Sequence, residues 1–248
     1  MNLISKITLS ILLFSNVSGE ASGQAGLVRH DFFYAGESKQ PRMFIVKNGE
    51  LFWEHLALDR KGEISDAVLL TDGNMLIAHQ YGIAEIAPDH TTVWSYDAPS
   101  GCEIHTIQPI GEDKVVFVQN GNPAKVVVME IPSLHILKEF VLPVSEKGSV
   151  HGQFRNARLT SRGTLLVSNM GLGFVSEYNS DGKEIDRWDI PGPWSATEVG
   201  KSANLLIVGK GSVLKEIDRR GNIISEMHLA DYGVTSPQKA VRLKNGKT

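Results

Sequence analysis

One stretch, residues 157–194 (ARLTSRGTLLVSNMGLGFVSEYNSDGKEIDRWDIPGPW), holds four strand-length segments separated by turn chemistry. Ala157-Arg158-Leu159 opens the first, Thr164 to Ser168 forms the second, Phe174 to Tyr178 the third and Lys183 to Ile190 the fourth. Ser161-Arg162-Gly163, Asn169 to Gly173 and Ser180-Asp181-Gly182 lie between them, and Asp-Gly pairs readily take the positive φ of a tight hairpin. A unit of this kind has apolar residues on both faces of its strands and cannot bury them alone, so it must stack against copies of itself.

The copies are present. Aligned on the first strand and the turn that follows it, Ala67 leads to Gly73, Ile107 to Asp113, Ala157 to Gly163, Thr197 to Ala203 and Ala240 to Gly246. Apolar second strands follow four of these turns: Met75-Leu76-Ile77, Val115-Val116-Phe117, Leu165-Leu166-Val167 and Leu205-Leu206-Ile207. The spacing, about 40 to 50 residues, is that of a four-stranded propeller blade, and no window sustains the 3.6-residue period a helical repeat would need. The expected fold is therefore all-β: a β-propeller of four-stranded antiparallel blades, with blades starting near Ser65, His105, Arg155, Ser195 and Gln238. Leu76, Val116, Leu166 and Leu206 are predicted to be core, joined by the bulky fourth-strand residues Trp53, Trp94, Phe140, Trp188 and Met227.

The ends of the repeat are irregular. Asp31 to Ala35 matches a second strand, and Gln238 to Gly246 matches a first strand with its turn. One expectation is five visible blades plus the start of a sixth, in a truncated six-bladed ring; the alternative is a five-bladed ring in which the C-terminal strand completes the first blade and removes an open edge.

Met1 to Gly19 reads as an export signal, with Lys6 before a mostly apolar run, Ile7 to Phe14, and small residues after it. That run is too short to span a membrane. The propeller domain is expected over residues 26–248, in a periplasmic or secreted protein. Cys102 is the only cysteine of the 248 residues, which excludes an intrachain disulfide and suits a bacterial periplasm or surface. A net charge of −3 argues against a nucleic-acid partner.

The repeated strand, Asn-Gly or Asp-Gly turn, strand pattern, with Asp-Gly-Lys-Glu-Ile-Asp-Arg-Trp (residues 181–188) closing a blade, resembles the PQQ-like propeller superfamily over roughly residues 30–248. It looks closest to exported bacterial propellers grouped with arylsulfotransferase-like and WD40-like repeat proteins. Quinone-dependent members carry Thr-Gly before a docking tryptophan; here the corresponding pairs are Asp-Gly, Arg-Gly and Asn-Gly, so the resemblance implies architecture and leaves the cofactor unassigned. Members of such groups include enzymes, assembly scaffolds and binding proteins, and fold alone does not choose among them.

In a propeller, the connection into each blade and the turn between its second and third strands emerge on one face, around the channel. The blade starts supply Asp66, Glu103, His105, His151, Gln153, Arg155 and Trp194 to that face, and the second-to-third turns supply His79, Gln119, Asn120, Asn169 and Lys210. These are the candidate ligand-binding residues, and His105, His151, Arg155, Gln119, Asn169 and Trp194 are expected to meet at one mouth. His79, His105 and His151, with Gln153 or Glu103, are of types that ligate divalent metals, but they lack the short spacings that identify a metal site, so no metal is assigned. Arg155 and Lys210 suit an anionic group, although Arg155 can equally pair with Glu103 or Asp66. Ser195 has no elbow motif and Gly171-Leu172-Gly173 precedes no helix, which excludes a nucleophile elbow and a phosphate loop. Asp89, Asp181 and Asp218 read as turn formers. The expected function is binding of a small polar or anionic ligand, carbohydrate-derived in character, at the channel face. Its rivals are a metal-assisted lyase or hydrolase or a sulfotransferase-like enzyme working through His105 and His151, and a scaffold that binds a protein partner at its rim.

Overall fold

The computed structural model describes residues 31–36, 41–56, 62–146, 148–243 and 245–248; the export signal expected over residues 1–19 lies outside them. The first sheet is β1 (Phe32–Gly36), β2 (Arg42–Lys47) and β3 (Glu50–Leu56). Four four-stranded antiparallel sheets follow: β4 (Ile64–Leu69), β5 (Met75–His79), β6 (Gly82–Ile86) and β7 (Thr92–Asp97); then β8 (Glu103–Ile110), β9 (Lys114–Asn120), β10 (Ala124–Glu130) and β11 (Ile136–Leu142). The last two are β12 (Phe154–Leu159), β13 (Leu165–Asn169), β14 (Phe174–Tyr178) and β15 (Glu184–Asp189), and β16 (Ser195–Val199), β17 (Asn204–Gly209), β18 (Val213–Ile217) and β19 (Ile223–His228). Each strand pairs with the next in sequence, which is a meander repeated blade by blade: a five-bladed β-propeller. Apart from two 3-10 turns, Val150–Gly152 and Leu229–Tyr232, the described residues contain no helix, and thus none able to cross a membrane.

Local chemistry sets the turns. The two-residue β2–β3 hairpin places Asn48 at φ 54° and Gly49 at φ 80°, the paired positive values of a type I′ turn. The first-to-second-strand turns of two blades close the same pair of backbone hydrogen bonds, at Leu70–Asn74 and Thr160–Thr164. At the third-to-fourth turns, Asp218 Oδ1 accepts from the Arg220 and Asn222 amides, and Asp89 Oδ1 from the Thr91 amide. In the corresponding turn of the fourth blade the cap is Asn179, not Asp181; Asp181 instead pairs with Lys138 of the neighbouring blade. Gly182 in that turn has φ 76°, and a Cβ there would come within 2.5 Å of Phe140 in the preceding blade. Gly182→Ala should therefore destabilise by about 1 to 2 kcal/mol through both strain and contact, read from the urea midpoint.

The core is distributed between blades, as nearest-neighbour repeat architecture requires. Met43, Ile64, Met75 and Ile77 join the first two blades. Leu76, Trp94, Ile104 and Phe117 join the next pair, Val116, Leu142, Phe154 and Val167 the third, and Leu166, Trp188, Ala196 and Leu205 the fourth. Leu76, Val116, Leu166, Leu206, Trp94 and Trp188 are buried as their repeat positions require. Met227 departs from the expected pattern. It is exposed, because the outer strand of the last blade opens onto a groove shared with Leu206, Leu214 and Lys239 instead of a packed neighbour.

The C-terminal segment corrects a second expectation. Leu243 and Lys247 close the same turn as Thr160 and Thr164, but residues 236–243 belong to no strand, and the start of a sixth blade is not found among the described residues. The segment is held by side chains, not by a ladder: Lys239 reaches Asp66 at 3.4 Å and Arg242 reaches Glu216 at 2.8 Å. Pro237 contributes no N–H for pairing. Gln238, Lys239 and Val241 line the channel beside Phe33, Tyr34 and Ala35 of β1, where the inner strand of the first blade would stand.

Candidate functional site at the channel mouth

The innermost strands of the second, third and fourth blades each break register once, at the same level of the channel. In β4 the pairing passes from Ile64 to Asp66 while β5 advances one residue, leaving Ser65 extra. In β12 it passes from Phe154 to Asn156, leaving Arg155 extra. In β8 it passes from Ile104 to Ile107 while β9 advances two residues, so His105 and Thr106 share one place. A bulge turns a side chain out of the strict alternation of a strand, and here three bulges turn Ser65, His105 and Arg155 toward one another.

The resulting cluster is closely bonded. Glu103 Oε2 lies 2.8 Å from His105 Nε2 and 2.8 Å from His151 Nδ1, and its Oε1 accepts from Gln80 Nε2 at 3.0 Å. One carboxylate thus holds two imidazoles, whose rings meet edge-on with centroids 4.9 Å apart. With those nitrogens donating to Glu103, the opposite ring nitrogens present lone pairs. His105 Nδ1 faces Ser65 Oγ at 2.9 Å, Arg155 Nη1 at 3.2 Å and Glu63 Oε1 at 3.3 Å. His151 Nε2 faces Arg155 Nη2, and Arg155 Nη1 also donates to Glu63. Trp194 covers the other side of the guanidinium, with Arg155 Cζ 5.2 Å from the ring centroid.

Burial raises the Glu63 pKa, but the bond from Arg155 and its guanidinium charge outweigh it and hold the carboxyl at about 2. Burial also acts to raise Glu103, and its bonds from Gln80, His105 and His151 bring it below the usual carboxylate range. Both carboxylates are therefore ionised at neutral pH. The His105 side chain is fully buried, whereas that of His151 is 43% exposed and forms the open side of the cluster.

A second layer lies deeper in the channel. Arg158 Nη2 contacts both oxygens of Asp66 at 2.7 Å, and Asp66 also accepts from Thr106 Oγ1 at 3.1 Å and the Ile107 amide at 3.0 Å. Asp66, Arg155, Trp194 and Lys239 line a cavity of about 280 Å³ together with Phe33 and Tyr34.

Of the residues expected at this face, Glu103, His105, His151, Arg155 and Trp194 come together, with Asp66 in the layer beneath. The others do not join them. Gln119 contacts the Cys102 sulfur at 3.6 Å within its own blade, and Asn169 bonds the Pro143 carbonyl and the Leu172 amide. Asn120 donates to the carbonyls of Val150 and Phe154, and Gln153 bonds both backbone groups of Gly121. Asn120, Gln153 and Asn169 thereby satisfy backbone groups that burial would otherwise leave unpaired. The His79 ring packs against Gly82, where a Cβ would come within 3.1 Å of it, and Lys210 lies beside Gly192 at a separate pocket of the last blade. Among the described residues the carboxylate that pairs with Arg155 is neither Glu103 nor Asp66 but Glu63, which sequence reasoning passed over. A signal for it was present: Glu63-Ile64-Ser65 repeats as Glu103-Ile104-His105 one blade later.

No protein-family model matches the chain, and no curated protein matches it. Solved structures do. A protein of unknown function from Bacteroides caccae aligns with a TM-score of 0.69 at 18% identity, over 80% of this chain and 73% of that one. A streptogramin B lyase structure aligns with a TM-score of 0.57 at 17% identity, over 79% and 68%. The WD40 β-propeller domain of Doa1 aligns with a TM-score of 0.55 at 11% identity, over 67% and 53%. At these identities the likeness is one of fold, and the fold is the β-propeller.

Proposed function

We propose that this β-propeller is an exported protein that binds a small anionic, carbohydrate-derived ligand in its channel. The observation that carries the reading is the composition of the cavity beneath the mouth: Arg155 and Lys239 supply positive charge beside the rings of Phe33, Tyr34 and Trp194. Aromatic faces suit the apolar faces of a sugar ring, and the Lys239 ammonium and the Arg155 guanidinium, each already bonded to a carboxylate of the protein, add charge attraction for an acidic group. Export is supported by the pattern of residues 1–19. A thermal-shift panel of hexuronates and aldonates, with the neutral sugars as controls, tests the binding reading. At a concentration 100 times Kd, a ligand specific to the folded state adds about 2.7 kcal/mol of stability. The expected result is a rise in Tm with a sugar acid and not with its neutral parent, lost in Trp194→Ala and in Arg155→Gln. A panel without any shift, or a shift that survives both substitutions, overturns the reading.

A second reading is favoured by one specific contact. The half-exposed His151, with Nδ1 held by Glu103 at 2.8 Å, is arranged as an acid–base imidazole whose tautomer is fixed by a carboxylate. The streptogramin B lyase is similar in fold alone, so a lyase or hydrolase activity rests on this pair. Turnover of a bound sugar acid by the wild type but not by His151→Gln would select it.

A further inference from the structure

We propose that Glu63, His105 and His151 form a site for a divalent transition-metal ion, and that the Arg155 guanidinium competes with the ion for the same lone pairs. None of the three donors lines the cavity beneath the mouth, although Arg155 borders both places, and metal binding is read without any channel ligand present.

Three features of the geometry carry it. The first is the donor set. One carboxylate oxygen of Glu63 and one ring nitrogen from each histidine lie within 4.8 Å of one another, close enough for a single ion at ordinary coordination distances. Two imidazoles and a carboxylate suit zinc, iron, manganese or cobalt rather than calcium or magnesium. The second is the shell behind the rings. Metal-bound histidines almost always donate their other N–H to a carboxylate or carbonyl, which fixes the tautomer and raises the basicity of the free nitrogen. Glu103 does this for both rings at once, through one oxygen at 2.8 Å from each. Glu103 is thus a positioning residue, and the nitrogens it leaves bare are the ones that face Glu63. The third is what those lone pairs now meet. Arg155 contacts His105 Nδ1, His151 Nε2 and Glu63 Oε1 together, so a cation already sits on all three donors. The carboxylates of Glu63 and Glu103 both border the point that the guanidinium occupies, so with the arginine removed that point favours a cation.

Competition makes the proposal specific. A cluster built only to neutralise Arg155 would lose its purpose when the arginine is removed; a metal site would become more accessible. Cobalt(II) absorption in the visible region and zinc(II) calorimetry on the full chain, with any affinity tag removed, read the two cases apart. The expected results are one bound ion per chain and, in Arg155→Gln, an affinity raised by at least about tenfold. In that background Glu63→Gln should weaken binding by about 100-fold or more, and Glu103→Gln by about 10- to 100-fold, with a changed cobalt spectrum because ring orientation is lost. His151→Ala, made with Arg155 intact, guards against misfolding as an explanation: His151 is half exposed in a 3-10 turn, so circular dichroism should be unchanged while stoichiometric binding disappears. The surface pair His55 and His90, whose Nδ1 atoms lie 3.1 Å apart, is removed by His90→Ala in every protein tested. No binding in either the wild type or Arg155→Gln, no gain on removing Arg155, or retention of binding in folded His151→Ala overturns the proposal.

Discussion

Asp66→Asn should destabilise the propeller by about 3 to 5 kcal/mol, the loss typical of removing one partner from a buried ion pair. The Asp66 side chain is 4% exposed and serves four groups from three other segments: the Arg158 guanidinium, the Thr106 hydroxyl, the Ile107 amide and the Lys239 ammonium. Asparagine keeps the shape but removes the charge, leaving Arg158 buried against a neutral amide. The effect should depend on pH with a definite sign. Burial tends to raise the Asp66 pKa, and Arg158 and Lys239, with the Ile107 amide, more than reverse it, so the folded value lies below the ordinary 3.8. A carboxyl with a depressed folded pKa stabilises fully above its unfolded pKa, and the contribution is lost as pH falls toward and through the folded value. The gap between wild type and Asp66→Asn, measured by urea denaturation, should therefore be constant from neutrality to about pH 5 and narrow below about pH 4. A gap below about 1 kcal/mol at neutral pH would show that the ion pair merely offsets its own desolvation.

Leu166→Ala is expected to cost about 2 to 5 kcal/mol. Leu166 is 1% exposed at the centre of the cluster that joins the fourth and fifth blades, among Val175, Trp188, Ala196, Leu205 and Ile207. Neighbours held in two sheets close poorly over a missing isobutyl group, so most of the cavity should persist. The last blade is fastened to the ring mainly through this face: among the described residues no comparable buried cluster joins it to the first blade. The substitution should thus broaden the unfolding transition, with β16–β19 losing amide protection before the rest, because nearest-neighbour terms carry the stability of a repeat array. A loss under about 1 kcal/mol would place Leu166 outside the core.

The architecture was legible because everything that specifies a blade is local. Alternation, an Asp-Gly or Asn-Gly turn and an apolar second strand recur within each unit, and the strands begin at Ile64, Glu103, Phe154 and Ser195, within two residues of the positions read from the repeat. The fate of the C-terminal segment was not legible, since the turn at residues 243–247 forms while pairing is replaced by the contacts of Lys239 and Arg242, which lie far away in sequence. The candidate site was legible in part. Polar residues at blade starts and turns stood out by composition, but composition cannot separate His105, turned into the channel, from Asn120 or Gln153, whose amides satisfy neighbouring backbone. That difference is set by where a strand breaks register, which depends on the partner strand. Glu63 was missed because it precedes the first paired residue of β4 and becomes recognisable only beside its counterpart Glu103.

The bulges at Ser65, His105–Thr106 and Arg155 separate the history of the channel from that of the ring. β16 pairs with β17 from Ser195 to Val199 without interruption and shows a blade in its plain form. Relative to it, each of the other three inner strands carries one surplus residue, the smallest change a gene can make to a strand without altering the blade around it. Chemistry added in this way can be gained, lost or moved to a sister blade by inserting or deleting single codons. Propellers of one architecture can therefore diverge in their channels while their inter-blade packing hardly changes, and a change in length at a blade's first strand marks an altered channel more directly than a substitution does.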